Sequence, residues 1–183
     1  ILVNRIFSLL LPALRNAPRW GPILRLLVIL GTRPEAIKLA PLILRLRRSP
    51  GLTLQICSTG QHRELALEPL RFFGIEPDFD LEVMQADQSL SDLSAKILTR
   101  LDPILRDGDF DRAIVQGDTT SATCGAIAAA HRAVPVAHVE AGLRSGSVAS
   151  PWPEEMNRQL ISRIADLHFA PTLKQCQLCN HLI

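Results

Sequence analysis

No glycine-rich nucleotide loop, no long apolar run and no large charge excess occur in this sequence of 183 residues. Neither G-x-x-x-x-G-K-[ST] nor G-x-G-x-x-G is present, which excludes a P-loop NTPase and an enzyme with the NAD fingerprint. The formal net charge of +2 is too small to indicate a nucleic-acid partner or an anionic membrane surface. Residues 1–24 hold Arg5, Arg15 and Arg19 and no acid, so the rest of the chain sums to −1 (+2 less +3). The apolar stretch from Ile6 to Leu14 is broken by Ser8 and Pro12 and is too short to cross a bilayer. Arg5 before it suggests a cleaved signal peptide, but no clear small-residue cleavage site follows, so a loosely packed extension is the expectation. The sequence does not begin with Met and reads as part of something longer.

Disulfides are also excluded as a framework. Of the four cysteines, Cys57 falls in an expected buried strand and Cys124 in an expected helix, where a thiol packs as a small hydrophobe. Cys176, Cys179 and His181 form C-x-x-C-x-H, which is half of a structural zinc set without a second half. Chance spacing in a frayed tail is the expectation there. Internal repeats and low-complexity runs are missing as well.

What is present is an ordinary globular composition, 47% apolar and 21% charged, at a length that suits one domain. From Leu24 onward, strand-like and helix-like segments alternate. "LRLLVIL" is a continuous apolar run, as in a strand buried on both faces, and a helix begins near Pro34. In that helix Ile37, Pro41 and Leu44 recur on one side, with Pro41 a candidate kink. "LTLQICSTG" reads as strand and "QHRELALEPLRFF" as helix closed by Gly74, with a weaker strand in "DFDLEVM". "SLSDLSAKILTRLDPILRDG" opens on a Ser89/Asp92 capping box and is expected to break near Pro103. Strand "RAIVQGD", helix "TTSATCGAIAAAHRA", strand "PVAHVEAG", helix "PEEMNRQLISRIADL" and a short strand in "HFAPT" complete the pattern. Such alternation predicts an α/β fold with a doubly wound, Rossmann-like parallel sheet, in which ligands bind beyond the carboxyl ends of the strands.

The residues just past those ends are Arg33, Gln61 with His62, Asp118, and Glu140 with Arg144. A binding site explains this collection better than accident, yet each residue has a bland alternative. Asp118 stands where an N-cap would stand. His62 and Arg63 open a helix and could be solvated. His138 lies within its strand and reads as a hydrogen-bonded structural histidine before a ligand. Glu140 has no helix directly after it to cap, so its carboxylate needs a partner or a task. In the loop before the last long helix, Gly142 and Gly146 permit positive φ and Pro151 and Pro153 stiffen the approach. Trp152 could anchor that loop, and Glu154 and Glu155 suit a first helical turn. The alternative is that the loop delivers Glu154 or Arg158 into the crevice. In the opening turn Gly31 is expected to serve the turn alone. Arg33 and Lys38 either hold an anion there or are surface charges with Glu35 as neighbour.

"GTRPEAIKLAPLI", "TGQHRE", "QGDTTSA", "HVEAGLRSG" and "SPWPEEMNRQL" stand in an order and spacing that resembles the non-hydrolysing UDP-N-acetylglucosamine 2-epimerases, from about Leu26 to Thr172. The resemblance implies one half of a GT-B-like two-domain architecture, with the active site in the cleft between the halves. Residues 1–24 would be an extension, 25–172 the N-terminal Rossmann-like domain, and 173–183 a divergent tail. It implies interconversion of UDP-N-acetylglucosamine and UDP-N-acetylmannosamine by elimination of UDP and its re-addition, without cofactor or metal. Asp118, Glu140 and Glu154 match the family's acid–base positions, and Arg33 and Lys38 those that support UDP or the sugar. Gln61 and His62 match a segment that binds a second UDP-N-acetylglucosamine as activator in bacterial members. A cytoplasmic homodimer, with no nucleic acid or membrane partner, goes with the resemblance. Because the family's second domain is not in these residues, a truncated, inactive nucleotide-sugar-binding or dimerisation module is the alternative.

Overall fold

The computed structural model describes residue 12, residues 23–60 and residues 63–180. In chain order the elements are β1 (Leu24–Leu30), α1 (Arg33–Arg47), β2 (Leu52–Ser58), α2 (Arg63–Phe72), β3 (Phe79–Asp80), α3 (Leu90–Asp107), β4 (Arg112–Gln116), α4 (Thr120–His131), β5 (Val136–Val139), α5 (Glu154–Ile164), β6 (Leu167–Phe169) and α6 (Leu173–Asn180). The strands form one sheet in the order β3-β2-β1-β4-β5-β6, and every pairing is parallel. This is the doubly wound α/β fold that the alternation predicts. The chain runs outward from β1 to β3 and then returns to lay β4 on the other side of β1. A topological switch point therefore lies between the carboxyl ends of β1 and β4, where the crevice of such a sheet opens.

Alternation along β1 divides the core into two layers. Leu24, Leu26, Val28 and Leu30 pack with Leu39, Ile43 and Leu46 of α1 and Leu70 of α2. Leu27 and Ile29 point the other way, into a core with Leu93, Ile97, Leu101 and Leu105 of α3, the alanines of α4 and Ile161 of α5. Burial on both faces explains why β1 carries no polar alternation. Leu24 belongs to the sheet, paired with Leu52, although it falls within the stretch expected as extension. The rest of that stretch, residue 12 and Ile23 apart, lies outside the described residues.

The helices correct three expectations. α3 runs unbroken through Pro103, whose ring faces solvent while Leu101 and Leu105 on either side of it are buried. A proline inside a helix costs about 3 kcal/mol, and burying each leucine returns about 1.5–3 kcal/mol, so packing outweighs the missing hydrogen bond. α1 runs from Arg33 to Arg47 with Pro41 inside it. Its buried face is Ala36, Leu39, Ala40, Ile43 and Leu46, whereas Ile37 and Pro41 look outward, so the stripe traced through Ile37, Pro41 and Leu44 marks the wrong side. The tail is not frayed as far as Asn180. Residues 173–180 are helical, and Cys179 is buried against the loop after β5, where a side chain on Gly142 would meet the Gln175 carbonyl at 2.3 Å. His181 lies outside the described residues. Among the described residues no helix is long and apolar enough to cross a membrane.

Candidate functional site

The turn after β1 is built around an internal anion. Thr32 caps α1 and Glu35 follows at the third helical position. Glu35 Oε2 accepts from the Gly31 amide at 2.8 Å, the Thr32 amide at 2.7 Å and Thr32 Oγ1 at 2.9 Å. Those amides are the donors that a phosphate would take at a helix N-terminus. Here both are spent on Glu35, which leaves Arg33 and Lys38 as the charged side chains that could meet an anionic ligand on this turn. Glu35 is not the surface neighbour expected from the sequence, being 1% exposed. Burial pushes its carboxyl above the ordinary range, against the opposing pull of its four hydrogen bonds. Gly31 is needed for space and not for the turn: a Cβ there would lie 2.1 Å from Thr59 Oγ1 and 2.2 Å from Ser121 Oγ.

Lys38, one turn into α1, reaches Glu140 at the end of β5, with Nζ 2.6 Å from Oε2. The Gln116 side-chain amide donates to the same oxygen from the end of β4. Glu140 sits at φ +66°, a conformation that a side chain of this size adopts only under constraint. The constraint is visible, since the amides of Glu140 and Ala141 both donate to the Phe169 carbonyl, at 3.0 and 3.1 Å. This bend turns the carboxylate toward β4 and α1.

Asp118 follows β4, but the N-cap of α4 is Thr119, whose hydroxyl accepts from the Ala122 amide at 3.0 Å. The capping alternative for Asp118 is thereby removed. Its carboxylate instead accepts from Arg158 Nε at 2.8 Å, and its carbonyl from Asn157 Nδ2 at 2.8 Å. Arg158 also donates to Glu155 at 2.7 Å, and Glu155 accepts from the Ser145 amide at 3.0 Å, tying the loop after β5 to α5. Glu155 is fully buried. Desolvation pushes its carboxyl up, but hydrogen bonds from Gln159, Ser145 and Arg158 together hold it below the ordinary range. Trp152 does not anchor this loop, being 62% exposed.

His138 is buried, and its Nε2 lies 2.7 Å from the Gly117 carbonyl. A carbonyl only accepts, so Nε2 carries the proton and Nδ1 is the bare nitrogen. Burial lowers its pKa to about 4, with the Gly117 bond opposing and His168 and Arg144 assisting. It is a neutral strut under the backbone that presents Asp118.

The sheet edge thus brings Lys38, Gln116 and Glu140 into one cluster, and Asp118, Glu155, Asn157 and Arg158 into a second. Glu154 begins α5, and its Oε2 is buried without a partner among the described residues. Arg33 is exposed and makes no hydrogen bond or ion pair among the described residues. Arg144 turns away from Glu140 to donate to Ser162 Oγ at 2.7 Å. Gln61 and His62, the expected activator-binding pair, lie outside the described residues. Sequence reasoning missed Glu35, Gln116, Thr119 and Asn157 as parts of this edge. For Glu35 a signal existed, because "TRPE" has the T-x-x-E spacing of a capping box. Gln116 and Asn157 carry no signature beyond their amides.

The family model for UDP-N-acetylglucosamine 2-epimerase matches residues 44–179. The UDP-N-acetylglucosamine 2-epimerase of Salmonella typhimurium is 48% identical over 149 residues, covering 81% of this chain and 40% of that protein. That of Bacillus subtilis is 47% identical over 149 residues, covering 81% and 39%. The crystal structure of the Neisseria meningitidis enzyme bound to UDP-GlcNAc superposes with a TM-score of 0.83 at 42% identity, covering 86% of this chain and 43% of that one. The Methanocaldococcus jannaschii enzyme in complex with UDP-GlcNAc and UDP gives a TM-score of 0.80 at 33% identity, with 86% and 43% covered. The chain spans about two fifths of the length of the curated relatives it matches. On this agreement of motif, fold and relatives, the chain belongs to the UDP-N-acetylglucosamine 2-epimerase family.

Proposed function

We propose that these residues form the acid–base half of an enzyme that interconverts UDP-N-acetylglucosamine and UDP-N-acetylmannosamine. The observation that carries this reading is the cluster at the carboxyl edge of the sheet, where Glu140 is bent toward Lys38 and Gln116 beside the turn that bears Asp118. Family membership supplies the substrate class.

The reaction needs no oxidant. A carboxylate takes the proton at C2, the C2–H electron pair becomes the C1–C2 double bond, and the C1–O bond breaks to release UDP. Re-addition of UDP at C1, with a proton delivered to the opposite face of C2, completes the inversion. Asp118, Glu140 and Glu154 form the acid–base set. Among them Glu154 has a buried oxygen without a partner among the described residues, so turning it onto a ligand breaks no hydrogen bond of that oxygen. Arg33 and Lys38 counter the charge that develops on the departing diphosphate. The residues that would complete the cleft belong to the part of the relatives' length outside this match. A second nucleotide sugar held by Gln61 and His62, a homodimer and a cytoplasmic location go with the same reading.

The test is to continue the chain with the remaining length of the Salmonella relative and follow UDP-N-acetylglucosamine by proton NMR. Appearance of the N-acetylmannosamine product is expected. A folded, substrate-binding protein that forms none would refute the reading.

A further inference from the structure

We infer that Glu35 is a positioning residue that fixes the Asp118 turn against the Arg33–Lys38 turn across the switch point, acting through the hydroxyl of Thr119. The inference rests on the epimerase reading above and assigns Glu35 no contact with substrate.

A capping role accounts for only one of its two oxygens. At the start of α3, Asp92 Oδ2 accepts from Ser89 Oγ at 2.6 Å and from the Ser89 amide at 3.3 Å, in an exposed capping box. Glu35 Oε2 performs the same task in α1. Its Oε1 then accepts from Thr119 Oγ1 at 2.6 Å, 84 residues further along the chain. Capping does not require burial, and burying a carboxylate without a cationic partner costs several kcal/mol. Among the described residues no cation reaches Glu35. The positive ends of α1 and α4 converge on it instead, through the donors of Gly31, Thr32 and Thr119.

The direction of each bond makes the bridge specific. Thr119 has a single hydroxyl proton, and its oxygen accepts the Ala122 amide as the cap of α4. The proton is therefore committed to Glu35, and the hydroxyl serves both partners only in this orientation. Thr119 is the residue directly after Asp118, while Arg33 and Lys38 lie two before and three after Glu35. One carboxylate thus sets the spacing between the cations and a carboxylate of the proposed site. A shift of about 1 Å in such spacing can cost about a hundredfold in rate.

The test uses the chain continued with the remaining length of the Salmonella relative. Thr119→Ala removes the bridge and a helix cap, Thr119→Ser keeps both, and Ser89→Ala removes a comparable cap far from the site. Thr119→Ala is expected to lower kcat by about tenfold to a hundredfold with KM changed less than about threefold. Thr119→Ser and Ser89→Ala should stay within about twofold of the parent, and Glu35→Gln combined with Thr119→Ala should lose no more than Thr119→Ala alone. Equal kcat for Thr119→Ala and the parent overturns the inference. So does a loss in Ser89→Ala as large as that in Thr119→Ala, or fully additive losses in the double variant. A folded parent without exchange at C2 overturns the epimerase reading itself, and is told apart because it appears before any substitution is made.

Discussion

Lys38 Nζ lies 2.6 Å from Glu140 Oε2 and joins residues 102 apart in sequence across the carboxyl ends of β1, β4 and β5. The lysine side chain is 50% exposed and the glutamate 26%. An ion pair this wet contributes at most about 1 kcal/mol. Lys38→Met should therefore leave the midpoint of thermal unfolding nearly unchanged, while turnover in the completed enzyme falls about tenfold or more as the leaving diphosphate loses its counter-charge. A large drop in stability with unchanged turnover would make the pair a structural strut.

The second cluster differs because its cation and one of its two carboxylates are shielded from water. Arg158 is 14% exposed and serves both Asp118 and the fully buried Glu155. Removing one member of a buried ionic group costs about 3–5 kcal/mol, since the remaining charge is stranded. Arg158→Ala should accordingly lose about 3 kcal/mol in urea unfolding. Arg158→Lys should recover part of it, and a loss under about 1 kcal/mol would mean that water replaces the guanidinium.

Gly31 separates crowding from backbone freedom. Gly31→Ala drives a methyl into the buried Thr59–Ser121 hydrogen bond of 2.8 Å and should cost about 3 kcal/mol or more. Gly74→Ala meets nothing within 4 Å among the described residues, and its φ of +66° limits the penalty to about 1–2 kcal/mol. Chemical denaturation of the two variants should rank them in that order, and the reverse ranking would contradict the packing described.

His138 gives the fold a pH dependence of defined sign. Its pKa falls from 6.5 to about 4 on folding, so the unfolded chain binds the proton more tightly between those values. The stability it contributes is complete above pH 6.5 and is lost as the pH falls toward 4, amounting to roughly 3 kcal/mol. Glu35 works in the opposite sense, because its raised carboxyl loses stability as the pH rises above 4.5. Subtracting the stability curve of His138→Gln from that of the parent isolates the histidine. A flat difference between pH 4 and 6.5 would show that the ring is protonated in place.

The sheet was legible because β1, β4 and β5 are largely apolar and β2 alternates, with helix-length segments between them, a pattern that depends on nothing distant. Proline misled at position 103, where local hydrogen bonding argues for a break and the buried Leu101 and Leu105 decide otherwise. At the site, the strand-end rule put Arg33, Asp118 and Glu140 on one edge, but not the Gln116 amide that bonds Glu140 or the Asn157 amide that bonds the Asp118 carbonyl. Whether Asp118 caps a helix or faces Arg158 depends on a choice between two adjacent residues that Thr119 wins. The bond from Thr119 to Glu35 likewise follows from the register of β1 against β4, which only the folded sheet fixes.

The most direct test of the account is deuterium incorporation at C2 when the completed enzyme turns over UDP-N-acetylglucosamine in heavy water. Proton removal by a carboxylate of this edge predicts that every N-acetylmannosamine product carries deuterium at C2. It also predicts that Asp118→Asn and Glu154→Gln slow the wash-in by about a hundredfold or more. Product that retains its C2 proton, or wash-in at the parent rate in both variants, would contradict it.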